Sequence, residues 1–295
     1  MPQLTQYVSP TECLFLIQNA KEEDMGHHGI DLTSQTFIEP DRIGKATFHA
    51  RKPGKLCGAA LLEWIARIYD PTLEVDVLMH DGDTLEKGSA IATVNGPLQS
   101  ILSFERIALN FLTHLSGIAS TTWQYVQLTQ GTKAGIYDTR KTIPGLRSLA
   151  KYAVVCGGGM NHRIGLYDAI LIKDNHIAHI PLEQLSDALK ASFTKVRQAP
   201  KPPAFIEVEV DTLDQLKRVL DCGVDMVLLD NMDCDTLKQA VAIRDELAPT
   251  VELEASGGVD LTTVKAIAQT GVDRIAIGAV THSAPALDIG LDIAP

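Results

Sequence analysis

Between Asp138 and His176 the chain gathers six basic residues, Arg140, Lys141, Arg147, Lys151, Arg163 and Lys173, against three aspartates, Asp138, Asp168 and Asp174. The whole chain carries a net charge of −11. A cationic cluster inside an acidic protein suits a small anionic substrate. Arginine offers a planar fork to a carboxylate or phosphate, and lysine offers a point charge. A lone lysine is most simply a solvated surface group. Arg140, Lys141 and Lys173 differ because they stand at the ends of predicted strands, where an α/β protein builds its site.

Three further groupings add to this cluster. Gly157-Gly-Gly-Met-Asn-His-Arg163 is a glycine loop that lets backbone approach a ligand closely. It lacks the G-x-G-x-x-G spacing and a clear preceding strand, so no dinucleotide site follows. With His162 and Arg163 attached it reads as a substrate loop; without them it would read as a flexible turn. Glu209 and Asp230 form a carboxylate pair at two successive strand ends. Such a pair serves ribose hydroxyls, a developing cation or Mg²⁺, and a structural salt bridge to a barrel lysine is the plainer alternative. Glu254-Ala-Ser-Gly-Gly258 and Ile277-Gly-Ala279 bring small residues to the last two strand ends. Barrels commonly bind phosphate there, through backbone N–H groups and a helix N-terminus; tight packing is the other reading.

The elements that must position these residues divide the chain. Over Gly44–Asn95, short apolar runs alternate with turn signals such as Pro53-Gly54 and Asp81-Gly-Asp83. Lys45–Ala50, Leu73–Leu78 and Ala90–Val94 are candidate strands, and Cys57–Tyr69 is apolar at helical spacing. This pattern predicts an α+β domain with an antiparallel sheet. Asp81–Gly88 resembles the turn of a lipoyl or biotinyl hammerhead without its carrier lysine, so shared strand geometry is read and no carrier role. After Gly96-Pro97, Ile101, Phe104, Ala108, Phe111, Leu112 and Leu115 mark a long amphipathic helix, with Arg106 on its less apolar side. From Ala134 onward strands and helices alternate. The candidate strands are Ala134–Tyr137, Ala169–Lys173, Phe205–Val210, Met226–Leu229, Val251–Ala255 and Arg274–Ile277. Repeated βα units imply a parallel sheet, either an incomplete (β/α) barrel or an open doubly wound sheet.

The 295 residues are 45% hydrophobic and 21% charged, an ordinary globular balance with enough chain for one large domain or two. The acidic total argues against nucleic acid or an anionic membrane as partner. No run approaches the ~20 apolar residues that span a bilayer, and residues 1–10 do not read as a secretory signal. Five cysteines without a C-x-x-C pair read as reduced thiols of a cytoplasmic protein. His27-His28 reads as solvated loop, and Cys156 has no base at a defensible spacing. From the residues alone, the chain is a two-domain α/β enzyme binding two anions around a cation-stabilising carboxylate pair. That arrangement fits phosphoribosyl transfer.

At these residues the chain also resembles the quinolinate phosphoribosyltransferase family. The motifs are Asp138-Thr-Arg-Lys-Thr-Ile-Pro-Gly-Leu-Arg147, Gly157–Arg163, Leu171-Ile-Lys-Asp-Asn-His176, Leu229-Asp-Asn-Met232 and Glu254–Gly258, with Phe104-Glu-Arg-Ile-Ala-Leu-Asn110 upstream. The resemblance implies an N-terminal α/β sandwich, hammerhead-like and with leading helices, over 1–115. An incomplete (β/α) barrel would follow over 116–295, with a return of the C-terminal tail to the first domain left open. It implies transfer of phosphoribosyl from phosphoribosyl pyrophosphate to quinolinate with decarboxylation, on the route to NAD, with Mg²⁺. Carried over by motif, Arg106, Arg140, His162 and Arg163 hold the quinolinate carboxylates, with Thr139 beside them. The family pattern has Arg106 donated by the other subunit of a homodimer or higher oligomer. Lys141 and Lys173 serve the substrate carboxylate and the pyrophosphate. Glu209 and Asp230 face the ribose and Mg²⁺, directly, through water or through substrate. Ser256, Gly257, Gly258, Gly278 and Ala279 take the 5′-phosphate, and His282 is a further substrate-binding residue. The rivals are a relative acting on another ring acid, a Schiff-base barrel aldolase using Lys173, and a non-catalytic binding module.

Overall fold

A computed structural model of the chain describes residues 2–294. In chain order it contains α1 (Pro10–Met25), α2 (Leu32–Phe37), β1 (Ile43–Ala50), β2 (Gly54–Lys55), α3 (Leu62–Tyr69), β3 (Glu74–Val77), β4 (Thr84–Leu85) and β5 (Ala90–Pro97). Then come α4 (Leu98–Leu128), β6 (Gly135–Tyr137), α5 (Arg147–Cys156), β7 (Ile170–Ile172), α6 (Asp174–Ile177), α7 (Leu182–Arg197) and β8 (Ile206–Val210). The chain closes with α8 (Leu213–Leu220), β9 (Met226–Asp230), α9 (Cys234–Leu247), β10 (Glu252–Ser256), α10 (Val264–Ala268), β11 (Arg274–Ala276), α11 (Ala279–His282) and β12 (Ile289–Ile293). These fall into two compact units. One comprises Met1–Trp123, Thr142–Gly158 and Ala279–Pro295; the other comprises Gln124–Lys141 and Gly159–Gly278.

The first unit is built on an antiparallel sheet of order β12-β1-β5-β3. Alternation in β1 turns Ala46, Phe48 and Ala50 inward. Phe48 meets Phe104 of α4 edge-on, with ring centroids 5.9 Å apart. The spacing read through Leu115 continues in Ile118, Ala119, Thr122 and Tyr125, all buried, so α4 runs to Leu128. Its Ser116 and Ser120 hydroxyls accept the backbone N–H groups of Cys57 and Lys55, at 3.0 and 2.8 Å. These bonds satisfy donors that would otherwise be buried unpaired. Arg147 and Lys151, read above with the basic cluster, lie on α5 in this unit, and Lys151 is buried.

The second unit holds six parallel strands in the order β6-β11-β10-β9-β8-β7. This is the cyclic order of a barrel with the pairing between its first two strands missing. Every residue of β8 is buried, so both faces of that strand are covered. The sheet curls enough that Arg274 of β11 lies over the Tyr137 ring of β6, 3.6 Å from its centroid, and 6.0 Å from that of Phe205, the residue before β8. The missing pairing is occupied on one side by the glycine loop. Met160 N–H donates to Ile136 O at 2.8 Å, and Asp138 N–H donates to Met160 O at 3.1 Å. Among the described residues no helix is long and apolar enough to cross a membrane.

Candidate active site

The C-terminal ends of the barrel strands surround a cavity of about 660 Å³. The end of β6 supplies Thr139, Arg140 and Lys141; β7 is followed by Lys173; Glu209 stands on β8; Asp230 ends β9; and Ser256, Gly257 and Gly258 close β10. His162 and Arg163 enter from the glycine loop. All eleven of these residues were named from the sequence. Four others were named as well. Arg106 is exposed on α4, and Ala279 and His282 belong to α11, all in the first unit; Gly278 ends the second unit after β11.

Each anchor has a local cause. Asp138 is fully buried at the end of β6. Its carboxylate accepts the backbone N–H of His162 and the side-chain amide of Asn161, both at 2.8 Å. The loop is thereby held against the strand. Arg163 extends to Ala169 O at 3.3 Å, just before β7. Burial and the like charge of Arg140 push the Arg163 guanidinium below its ordinary range, while Glu207 and Asp168 oppose this. The Nε of Arg140 is buried with no partner among the described residues. Two crowded cations, one with an unpaired donor, suit a multiply charged anion.

Lys173 forms an ion pair with Glu209, which is itself buried. Asp230 accepts the side-chain amide of Asn231 at 2.8 Å. Asn231 is left-handed, with φ of 53°, and its backbone N–H donates to Ser256 O at 2.8 Å. Gly257 has φ of 94°, and a Cβ there would lie 2.2 Å from Asn231 Oδ1. Glycine at this position is therefore required twice, by conformation and by space. The loop after β10 keeps its backbone bare for an anion.

Sequence reasoning quoted Asn231, Glu254 and Leu171 within motifs but gave no site role to them or to Leu228 and Ala276, which line the cavity as well. Asn231 follows Asp230 directly, and Glu254 falls on the inward phase of β10, so both positions carried a readable signal. His162 has partners within the protein. Its Nδ1 accepts the backbone N–H of Arg163 at 2.7 Å, and its Nε2 lies 2.8 Å from Glu207 Oε2. Both ring nitrogens are thus engaged by the protein. Burial lifts the Glu207 carboxyl to about 7 against the pull of Arg274, Arg163 and Lys173, and burial with the like charge of Glu207 lifts Glu254 to about 7 against His162 and Arg274.

The family model described as the C-terminal domain of quinolinate phosphoribosyl transferase matches residues 118–292, and that of its N-terminal domain matches 31–116. The chain belongs to the quinolinate phosphoribosyltransferase family. It is 44% identical over 284 residues to nicotinate-nucleotide pyrophosphorylase (carboxylating) of Mycobacterium leprae, covering 94% of this chain and 95% of that one. A probable nicotinate-nucleotide pyrophosphorylase (carboxylating) of Bacillus subtilis is 41% identical over 272 residues, covering 92% and 90%. Among solved structures, the nicotinate-nucleotide pyrophosphorylase of Francisella tularensis superposes with a TM-score of 0.89 at 36% identity, covering both chains fully. The quinolinate phosphoribosyltransferase fold therefore carries the strand-end cavity described above.

Proposed function

We infer that this protein transfers phosphoribosyl from phosphoribosyl pyrophosphate to quinolinate with decarboxylation, giving nicotinate mononucleotide, CO₂ and pyrophosphate. The observation that carries this reading is the pair of crowded guanidiniums, Arg140 and Arg163, in the same cavity as a bare glycine loop and two carboxylates. A ring dicarboxylate fits the first feature, a sugar 5′-phosphate the second, and a developing ribosyl cation the third.

In this reading Arg140 and Arg163 bind the quinolinate carboxylates and set the ring nitrogen toward ribose C1. His162 shapes the same wall, and Thr139 and Lys141 complete it. Lys173 neutralises charge on the departing pyrophosphate. The 5′-phosphate rests on Ser256, Gly257 and Gly258, with Gly278, Ala279 and His282 assigned to its far side. Glu209 and Asp230 stabilise the oxocarbenium-like transition state more than the ground state. Once the ring nitrogen is alkylated, the 2-carboxylate leaves as CO₂, its electron pair stays on C2 stabilised by the adjacent cationic nitrogen, and C2 takes a proton from water to give nicotinate mononucleotide. Glu209 and Asp230 are hard oxygen donors at the cavity wall and fit Mg²⁺. When bound, Mg²⁺ neutralises pyrophosphate charge. Arg106 is assigned to the cavity of a second copy, making a homodimer the smallest active unit, and the cytoplasm is its assigned compartment. The aldolase reading is disfavoured because Lys173 is held in an ion pair that a carbinolamine step would have to break.

The test is incubation of purified protein with quinolinate, phosphoribosyl pyrophosphate and Mg²⁺, with nicotinate as the alternative acceptor and a chelator as a further arm. Nicotinate mononucleotide and CO₂ from quinolinate, lost with chelator, support the reading. Absence of product from quinolinate sinks it and moves the substrate to another ring acid.

A further inference from the structure

At the cavity wall and just behind it, four titratable side chains converge inside the second unit. They are His162, Glu207 of β8, Glu254 of β10 and Arg274 of β11, and each is less than a tenth exposed. Glu254 accepts the Nε–H of Arg274 at 2.8 Å. Its other oxygen stands 3.5 Å from His162 Nε2 and lacks a hydrogen-bond partner among the described residues. Glu207 Oε2 is closer to that nitrogen, at 2.8 Å. Arg274 thus holds Glu254 aside and leaves Glu207 as the acceptor.

The backbone decides where the imidazole proton sits. His162 Nδ1 accepts the N–H of Arg163. A ring nitrogen that accepts carries no hydrogen, so the proton of the neutral ring is on Nε2, aimed at Glu207. The Nδ1 bond also fixes the backbone of Arg163. Asp138 fixes the backbone of His162 from the other side, and the Phe205 ring meets the imidazole edge-on with centroids 5.3 Å apart.

We propose that Glu207 is a positioning residue for the ring-acid half of the cavity: it locks His162 as the Nε2–H tautomer and, through Nδ1, fixes the backbone of Arg163. This rests on the functional reading given above. His162 Nε2 and oxygens of Glu207 and Glu254 also lie within 4.8 Å of one another, a spacing that a metal ion would accept. A metal on Nε2 would require its proton to move to Nδ1, where the Arg163 N–H already points. The tautomer therefore favours the hydrogen-bonded arrangement.

Two variants separate this role from mere packing. Glu207→Gln keeps an oxygen acceptor; Glu207→Met fills the space without one. The KM values for quinolinate and phosphoribosyl pyrophosphate are measured together with ¹⁵N spectra of histidine-labelled protein, the His162 signals being assigned by their loss in His162→Asn. The expected result is a pyridine-type Nδ1 and a pyrrole-type Nε2 in the wild type. Glu207→Met should raise the quinolinate KM about tenfold while the phosphoribosyl pyrophosphate KM stays within about threefold, and Glu207→Gln should stay within about threefold on both. Equal quinolinate KM values for the Gln and Met variants overturn the proposal. So does a wild-type ring carrying its proton on Nδ1, a result that stands even if Glu207→Met does not fold. Failure of the wild type to turn over quinolinate would remove the functional reading, while the tautomer measurement would still decide the positioning role.

Discussion

At the residue scale, the cavity uses charge in two ways. Cations at the ends of β6 and in the glycine loop are crowded, so an incoming dianion relieves repulsion as well as forming bonds. Arg140→Ala should accordingly lower kcat/KM for quinolinate by ~2–4 kcal/mol, the range for losing a charged partner in a desolvated site. Steady-state kinetics check this, and a loss smaller than tenfold would remove Arg140 from the clamp. Buried carboxyls have the opposite effect on stability. Glu254 is raised from its ordinary 4.5 to about 7, chiefly by burial. The folded chain therefore still holds this proton at pH values where the unfolded chain has released it. Its contribution makes stability fall as pH rises from the unfolded value toward the folded one. Glu254→Gln lacks that titration. Between pH 5 and 7, its unfolding free energy from urea titration should shift relative to the wild type in the stabilising direction, by ~1–3 kcal/mol. Parallel pH profiles for the two proteins would count against a shifted Glu254.

At the element scale, the glycine loop reads differently from its sequence. Three consecutive glycines suggested flexibility or a ligand loop, yet each residue sits in a separate setting. Gly157 caps α5 in ordinary helical backbone; a Cβ there would lie 2.3 Å from Ala119 O and 2.8 Å from Thr122 Cβ on α4. Its lack of a side chain is what lets α5 end against α4. Gly158 has φ of 85°, so it turns the chain. Gly159 is buried and begins the part that runs beside β6. Gly157→Ala should therefore act through packing, costing ~1–3 kcal/mol as overpacking does. The check is calorimetry: a midpoint equal to the wild type would mean that α5 yields without cost.

At the scale of the whole molecule, the two units share one chain that crosses between them four times, within α4, before α5, after it and again after β11. The final crossing brings β12 back to the first unit, where it pairs with β1 from Ala46↔Ile293 to Ala50↔Ile289. Leu287 and Ile289 are buried there, and Leu287 N–H donates to Thr113 O at 2.9 Å. A chain ending at Pro285 would lose two buried aliphatic side chains and bare the edge of β1. Its stability should drop by ~3–6 kcal/mol from the burial alone, and the exposed edge should promote association. Thermal unfolding and light scattering of the shortened chain test both effects. A monodisperse variant with an unchanged midpoint would show β12 to be dispensable.

Local pattern in the sequence was enough to place the six barrel strands and the polar residues at their ends. Apolar runs of strand length show where each strand stops, and in a parallel α/β unit every such end faces the same way. Arg140, Lys141, Lys173, Glu209, Asp230 and Ser256 were legible for that reason. The motifs alone also sufficed for the family resemblance. Tertiary structure decided what depends on partners distant in sequence. It placed Arg147 and Lys151 on a helix of the first unit, and it returned β12 to β1 across the length of the chain. It also set Asn231 in a left-handed conformation against Gly257, and gave both His162 nitrogens protein partners, one of them Glu207. Periodicity reports which face a residue shares with its near neighbours. The group that face meets is settled only when strands pair and the barrel curls, because those pairings join residues whose spacing in sequence carries no regular period.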